Sequence, residues 1–174
     1  MSVLEVFYDY ACPYCMRGHE YLTELIPSYP EVKIEWRPCE AHPRPERYGP
    51  HSDLCARGMF YAREHGADLA EYHSRMYRAA LIERADIEDL ENVSRLTEGL
   101  FDCGDFYKAM LQGAYINELD ENNRLAWDAY DFPAVPSYRM GGSMLKSVPD
   151  VGVSKRQLAD FIKRGQQRNY ANIS

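Results

Sequence analysis

Alternating and helical patterns of apolar residues predict a β-α-β unit at the amino-terminal end of this chain. Residues 3–8 are mostly apolar, and residues 32–37 alternate between apolar and charged side chains. Both patterns are typical of strands, the second of a strand with one buried face. Residues 12–26 lie between them and have helical spacing, with Pro13 in the first turn, where its missing N–H group costs nothing.

A helical block follows this unit. Four prolines fall between residues 38 and 50 and predict a loop, and no proline then occurs from residue 51 to residue 132. Asp68 and Asp86 each precede a carboxylate by three positions, which is a pattern typical of a helix start. The block is predicted to contain three or four short helices and then a longer helix over residues 114–130.

The carboxyl-terminal segment predicts a β-hairpin and a last helix. Strand-like residues 137–140 and 144–148 flank two glycines suited to a tight turn, and Ser154 begins a capping box. The order of elements predicts an α/β fold: a thioredoxin-like mixed sheet with an inserted all-helical subdomain. The predicted bounds are residues 1–48 and 116–174 for the thioredoxin-like domain, and residues 49–115 for the helical insertion.

Composition and charge exclude several classes of function. The chain has 174 residues, a formal net charge of −7 and 45% hydrophobic residues. An acidic chain does not favour nucleic acid as a partner, since phosphates require a basic face. No apolar run reaches the length of about 18 residues that a membrane span needs, so no membrane partner is expected. No secretory signal is visible, which predicts a cytoplasmic protein, or a periplasmic or secreted one if a leader was removed.

The pair Cys12 and Cys15 is the strongest chemical signal in the sequence. Two cysteines separated by two residues at a helix start can form and reopen a small disulfide ring. The helix dipole and the outward N–H groups at this position favour the thiolate, which is the reactive form of cysteine. We therefore expect the pKa of Cys12 to fall from ~8.5 into the range ~3.5–7.5, and Cys15 to lie deeper and to be less reactive.

A second segment, Val135-Pro136, precedes the predicted third strand. A cis X-Pro bond is accessible at about 0.5–1 kcal/mol and leaves neighbouring backbone groups able to bind an extended peptide. Proline is also tolerated at the start of an edge strand without any such role. The presence of the Cys12–Cys15 pair makes the cis peptide the better interpretation.

Three segments together resemble the DsbA-like thioredoxin-fold family, in particular its FrnE-type branch. They are residues 7–15, 86–89 and 132–138. The resemblance implies thiol–disulfide exchange with Cys12 as nucleophile and Cys15 as resolving thiol. It also implies that Val135 and Pro136 clamp the substrate, and we expect Pro13 and Tyr14 to contact it beside the sulfur. Tyr14 either shapes access to the sulfur or is a partly exposed aromatic lid with no chemical role.

The sequence does not assign a single role to some residues near the Cys12–Cys15 pair. The buried Glu that DsbA-type proteins carry six positions before the nucleophile is Val6 here, so the sequence does not identify a proton acceptor for Cys15. Asp9 and His19 are candidate modulators. Asp9 would oppose thiolate formation or cap the local turn, and capping is favoured. His19 would raise the local positive potential, relay a proton or be an ordinary surface or core histidine, and the ordinary role is favoured.

Two other interpretations of the chain stay open. The fold also resembles glutathione-dependent isomerases and transferases of the kappa and 2-hydroxychromene-2-carboxylate isomerase type, which usually carry serine in place of the first cysteine. The other interpretation is a non-enzymatic module that binds client proteins. The expected partners are protein or small-molecule thiols and disulfides. No cofactor is expected, except glutathione as a co-substrate.

The three remaining cysteines, Cys39, Cys55 and Cys103, are predicted to be unpaired thiols acting as small apolar side chains. A second, regulatory disulfide between two of them is the alternative. A structural zinc ion wants four ligands, often in two pairs, and the chain has one C-x-x-C pair, so no metal site is predicted.

Overall fold

The computed structural model describes the backbone of residues 2–171 and the side chains of residues 2–168. Its sheet has four strands in the order β2-β1-β3-β4. The strands are β1 (Ser2–Tyr8), β2 (Val32–Pro38), β3 (Ser137–Met140) and β4 (Ser143–Leu145). Strand β2 runs parallel to β1, whereas β3 is antiparallel to both β1 and β4.

Seven α-helices complete the described fold. They are α1 (Pro13–Leu25), α2 (Asp53–Glu64), α3 (Leu69–Tyr77), α4 (Leu90–Leu96), α5 (Cys103–Leu111), α6 (Ile116–Asn123) and α7 (Lys155–Ala171). Helices α2 to α6 lie between β2 and β3 in the chain, which confirms the thioredoxin-like mixed sheet with a helical insertion. No helix among the described residues has the length and apolar character to cross a membrane.

The strand register brings three chain segments to one edge of the sheet. Tyr8 pairs with Pro38 at the carboxyl ends of β1 and β2, and Phe7 pairs with Ser137 at the start of β3. The loops that leave β1 and β2 therefore meet the loop that enters β3. This edge is where α1 begins, so the fold brings both predicted motifs together.

Helix α1 lies unusually close to the start of β3. A Cβ atom on Gly18 would lie 2.6 Å from the Tyr138 hydroxyl and 3.1 Å from Pro136 Cγ. A contact of 2.6 Å is too short for a carbon atom, so glycine permits this approach. The packing fixes the distance between the helix that carries the cysteines and the segment that carries Pro136.

Three predicted element bounds were wrong. Helix α4 begins at Leu90 rather than after Asp86, because Asp89 accepts the capping hydrogen bond from the Asn92 N–H. The helix predicted over residues 114–130 begins at Ile116, since Tyr115 has a positive φ of 64°, and its last turns are π-helical. Strand β4 ends at Leu145 because the N–H of Ser147 donates to the Ser137 hydroxyl rather than to the sheet.

Candidate active site

Cys12 and Cys15 occupy the first turn of α1. Cys12 is the N-cap residue, with extended backbone, and Pro13 takes the first helical position. The Cys12 N–H donates to the Asp9 carbonyl, which closes the turn between β1 and the helix. Cys12 is partly exposed, whereas Cys15 is buried one turn further along. The two thiols thus differ in access to solvent in the way predicted from the sequence.

The surroundings move the pKa values of the two thiols in opposite directions. The hydrogen bond with the Cys15 thiol lowers the pKa of Cys12, and backbone N–H groups of the helix start add to this effect. Burial of Cys12 and the charge of Asp9 oppose it. Burial raises the pKa of Cys15 well above its ordinary value, and its thiol also accepts a hydrogen bond from the Asp9 N–H at 3.4 Å. The lowered pKa of Cys12 is the predicted direction, but its largest cause is Cys15 rather than the helix start.

Val135 and Pro136 lie against the Cys12 sulfur. The Cys12 thiol points to the carbonyl oxygen of Val135, with Sγ and O 3.6 Å apart, and the peptide between Val135 and Pro136 is cis. The two predicted motifs, 123 residues apart in sequence, therefore form one site. Val135 is buried and lines the cleft that opens above Cys12.

The Asp9 carboxylate joins three segments around the site. Its Oδ1 accepts hydrogen bonds from the Ala11 N–H at 2.8 Å and from the Ser52 hydroxyl at 2.6 Å, and its Oδ2 accepts from the Ala41 N–H at 2.8 Å. The bond to Ala11 is the turn cap favoured from the sequence. Burial raises the pKa of Asp9, while the bonds to Ser52, Ala41 and Ala11 lower it. Asp9 thus fixes the loops after β1 and β2 and the start of α2.

A cleft of about 460 Å³ opens beside Cys12. Its lining comes from the start of α1, the loop between β2 and α2, the segment before β3 and the turn after β4. Eight of the lining residues are proline, tyrosine, tryptophan or phenylalanine: Pro13, Tyr14, Tyr48, Pro50, Trp127, Phe132, Pro133 and Pro149. This is a space in which a substrate can lie against the reactive sulfur.

Tyr14 forms part of this cleft and is held in place. Its hydroxyl donates to the carbonyl of Asp150 at 2.8 Å, and its ring lies against Gly152, where a Cβ atom would be 3.1 Å from the ring. Pro13 also lines the cleft. Both residues that the sequence assigned beside the sulfur therefore border the space above it.

His19 lies in an aromatic cluster. Its ring centroid is 5.0 Å from that of His73 and 5.8 Å from that of Trp36. Burial lowers the pKa values of both histidines, and His73 also hydrogen-bonds the Tyr10 hydroxyl at 2.9 Å. These contacts match the ordinary packing role favoured for His19 from the sequence.

The other cysteines lie outside the cleft lining. All three are unpaired thiols; Cys39 and Cys55 are fully buried and Cys103 is partly buried. Burial raises the pKa values of Cys39 and Cys55, which makes both thiols poor nucleophiles.

Sequence reasoning missed the residues that contact the site from distant segments. Ser52 and Ala41 bind Asp9, and Trp127 lines the cleft while its indole N–H donates to the Glu40 carbonyl at 2.9 Å. The proline-rich stretch from residue 38 to residue 50 signalled a loop, but no local pattern connects it to Cys12.

A family model described as the DSBA-like thioredoxin domain matches residues 3–159. The chain belongs to this family. The match confirms the resemblance to the DsbA-like family found in the sequence and agrees with the observed fold. It covers the helical insertion as well as both parts of the sheet domain.

Individual relatives of this DSBA-like domain are distant. An uncharacterized protein of Bacillus subtilis, YwbO, is 23% identical over 197 residues, which cover 92% of this chain and 98% of that protein. A probable DsbA oxidoreductase of Streptomyces coelicolor has a TM-score of 0.79 at 15% identity, over 96% of this chain and 91% of that one. A 2-hydroxychromene-2-carboxylate isomerase has a TM-score of 0.69 at 14% identity, over 99% of each chain. At these identities the two structures show a shared fold.

The lowered pKa of Cys12 predicts a pH-dependent contribution to stability. Because folding lowers this pKa below its ordinary value, the native state binds fewer protons at this position than the unfolded state. The contribution is complete above the ordinary pKa and disappears as the pH falls through the lowered one. The free energy of unfolding of the reduced DSBA-like domain, relative to reduced Cys12→Ser, should therefore rise with pH across this interval. The rise is about 1.4 kcal/mol for each unit of lowering.

Urea unfolding of both reduced proteins at a series of pH values measures this difference. The measurements are kept below pH 9, where burial keeps the thiols of Cys15, Cys39 and Cys55 protonated in both proteins. A difference that is constant with pH would contradict a lowered pKa at Cys12.

Proposed function

We propose that this DSBA-like protein is a thiol–disulfide oxidoreductase that acts through Cys12 and Cys15. One observation carries the proposal. A partly exposed thiol with a lowered pKa and a buried thiol with a raised pKa lie on one helical turn, and the partly exposed thiol lines a cleft. The first favours attack on a substrate disulfide, and the second is protected from outside reagents until a mixed disulfide has formed.

Reduction of a substrate disulfide takes two steps. The Cys12 thiolate attacks one sulfur of a substrate disulfide, the Cys12–substrate bond forms, and the other substrate sulfur leaves as a thiolate. Cys15 then loses its proton to solvent and attacks Cys12, so that the intramolecular disulfide forms and the second substrate thiolate leaves. The protein has lost two electrons and the substrate has gained two. Oxidation of a substrate dithiol is the same sequence in reverse.

Val135 supports a substrate on the open side of the sulfur. Its carbonyl oxygen faces Cys12 Sγ, and the segment before β3 borders the cleft. An extended chain that lies along this segment can form backbone hydrogen bonds next to the reacting sulfur, as in strand addition. Pro13 and Tyr14 border the same space from α1.

A turnover assay tests the proposal. With dithiothreitol as reductant and a disulfide-bonded protein as substrate, the wild-type chain should catalyse repeated reduction and Cys12→Ser should lose it. Cys15→Ser should turn over only as fast as dithiothreitol cleaves its mixed disulfide. Cys103→Ser is a matched control, because Cys103 lies on α5, outside the cleft, and this variant should retain the rate. Turnover that survives in Cys12→Ser would contradict the proposal.

The glutathione-dependent isomerase is the second candidate, and the shared fold with 2-hydroxychromene-2-carboxylate isomerase favours it. The redox mechanism requires both cysteines, whereas isomerisation does not require a resolving thiol. Glutathione-dependent isomerisation that persists in Cys15→Ser, together with no disulfide reduction by the wild type, would support this second candidate instead.

A further inference from the structure

The cleft lining carries more acidic than basic side chains. Asp9 and Asp150 are among its lining residues, whereas no lysine or arginine is found among those that the structure places there. His42 is the remaining titratable base of the lining, and its Nδ1 faces the Glu46 carboxylate at 2.9 Å. The lining therefore offers negative charge and no permanent positive charge.

Three side-chain donors of the lining are already engaged within the protein. Tyr14 donates to the carbonyl of Asp150, Trp127 donates to the carbonyl of Glu40, and Ser52 donates to Asp9. A carboxylate that approaches these three side chains would have to displace one of their bonds, which costs free energy.

Two of the cations near the cleft, Arg44 and Lys146, are held by other groups. Arg44 binds the carboxylates of Asp53 and Glu88 at 2.6 and 2.8 Å. The Lys146 amine donates to the backbone carbonyls of residues 130 and 131. Arg17 lies 5.8 Å from the centre of the Tyr14 ring and is not part of the lining. These cations therefore do not neutralise the acidic residues that line the cleft near the Cys12 sulfur.

The rim of the cleft is apolar and open. Tyr48 is 73% exposed on one side, and Val148 and Val151, at 53% and 65% exposure, flank the turn that lines the other side. Exposed apolar side chains on both sides of a cleft suit a partner longer than a tripeptide, because further residues of the partner can cover them.

From this arrangement we propose that the cleft selects polypeptide substrates whose cysteine has basic, apolar or aromatic neighbours, and that it discriminates against acidic neighbours and against glutathione. This selectivity rests on the proposed function. Glutathione carries two carboxylates close to its sulfur, and both would approach a cleft that has two acidic residues and no lysine or arginine in its lining. A lysine beside the substrate cysteine would instead approach Asp150, which is exposed to solvent.

Two matched peptides test the selectivity. They differ only in the residues on either side of one cysteine, lysine in one and glutamate in the other, and each is linked as a mixed disulfide to the same chromogenic thiol. Glutathione linked to that thiol is the third substrate. For each substrate, the second-order rate constant for reaction with the reduced full chain is divided by the rate constant for reaction with 2-mercaptoethanol. The thiolate of 2-mercaptoethanol carries the same charge as that of Cys12 but has no cleft around it.

The normalised rate with the lysine peptide should exceed that with the glutamate peptide at least about tenfold, which equals about 1.4 kcal/mol. Glutathione should react as slowly as the glutamate peptide. Added salt should reduce the ratio, because exposed charges are screened. Asp150→Asn should reduce it as well; asparagine tolerates the positive φ of 60° at this position and keeps the carbonyl that binds Tyr14.

The outcomes distinguish failure of the proposed selectivity from failure of the proposed function. Equal normalised rates for the two peptides, or a preference for glutathione, would overturn the selectivity and leave the oxidoreductase intact. No reaction with any of the three disulfides would overturn the proposed function, and the selectivity with it.

Discussion

The Cys15→Ser variant is expected to accumulate substrates as stable mixed disulfides on Cys12. Cys15 is buried next to Cys12, and in the proposed cycle it is the group that releases the substrate. Without it, the Cys12–substrate disulfide has no internal thiol to cleave it. Non-reducing electrophoresis and mass spectrometry, after exposure of the variant to cell extract, should show covalent adducts at residue 12.

The reciprocal variant supplies the control for this trapping. Cys12→Ser should form no adducts and should lose disulfide exchange by about 10⁴-fold or more, the scale seen when a covalent nucleophile is removed. The double variant Cys12→Ser/Cys15→Ser should be as inactive as the single one. Adducts on Cys39, Cys55 or Cys103 in place of Cys12 would contradict the assignment of the nucleophile.

Asp9→Asn is expected to lower stability and to make Cys12 more acidic. Asparagine can retain an oxygen for Ala11 and Ser52, but it places an NH₂ group against the Ala41 N–H, so one buried donor loses its acceptor. An unsatisfied buried donor costs about 1–3 kcal/mol. The charge of Asp9 raises the pKa of Cys12, so its removal should lower that pKa further.

Urea unfolding and the pH dependence of thiolate absorbance measure these two effects. Ser52→Ala is the matched control, because it removes one hydrogen bond to Asp9 and keeps the carboxylate. It should cost less stability and should not acidify Cys12. Unchanged stability together with a higher pKa of Cys12 in Asp9→Asn would contradict both effects.

Local sequence patterns were sufficient to predict the two reacting cysteines and the order of helices and strands. The spacing of Cys12 and Cys15 with Pro13 predicted the helix start, and Asp68 does cap α3. The turn cap between Asp9 and Ala11 spans two residues and is local as well. Each of these features depends on residues within one turn of each other, which is the range over which a sequence pattern carries structural information.

The walls of the cleft depend on contacts between distant segments. Asp9 binds Ala41 and Ser52 across 32 and 43 positions, and Tyr14 binds the carbonyl of Asp150 across 136. No periodicity links such positions, so a single sequence does not show which loops meet. The contact between Cys12 and Val135 was expected because a resemblance to known proteins pointed to it.

The shift of the helix start from Asp86 to Asp89 has a similar cause. Both residues have a carboxylate that can cap a helix, and Asp86 instead accepts a hydrogen bond from the Glu88 N–H. Glu88 in turn binds His51 and Arg44 from the loop beside the cleft. These long-range ion pairs hold the preceding turn, and Asp89 becomes the cap.

The pH dependence of alkylation of the reduced protein tests the central claim most directly. Iodoacetamide should modify Cys12 first, with a rate that rises through a pKa below that of the same cysteine in the urea-unfolded chain, and this phase should be absent in Cys12→Ser. A Cys12 thiol that reacts only as fast as an unperturbed cysteine, with a pKa at or above that value, would contradict the account.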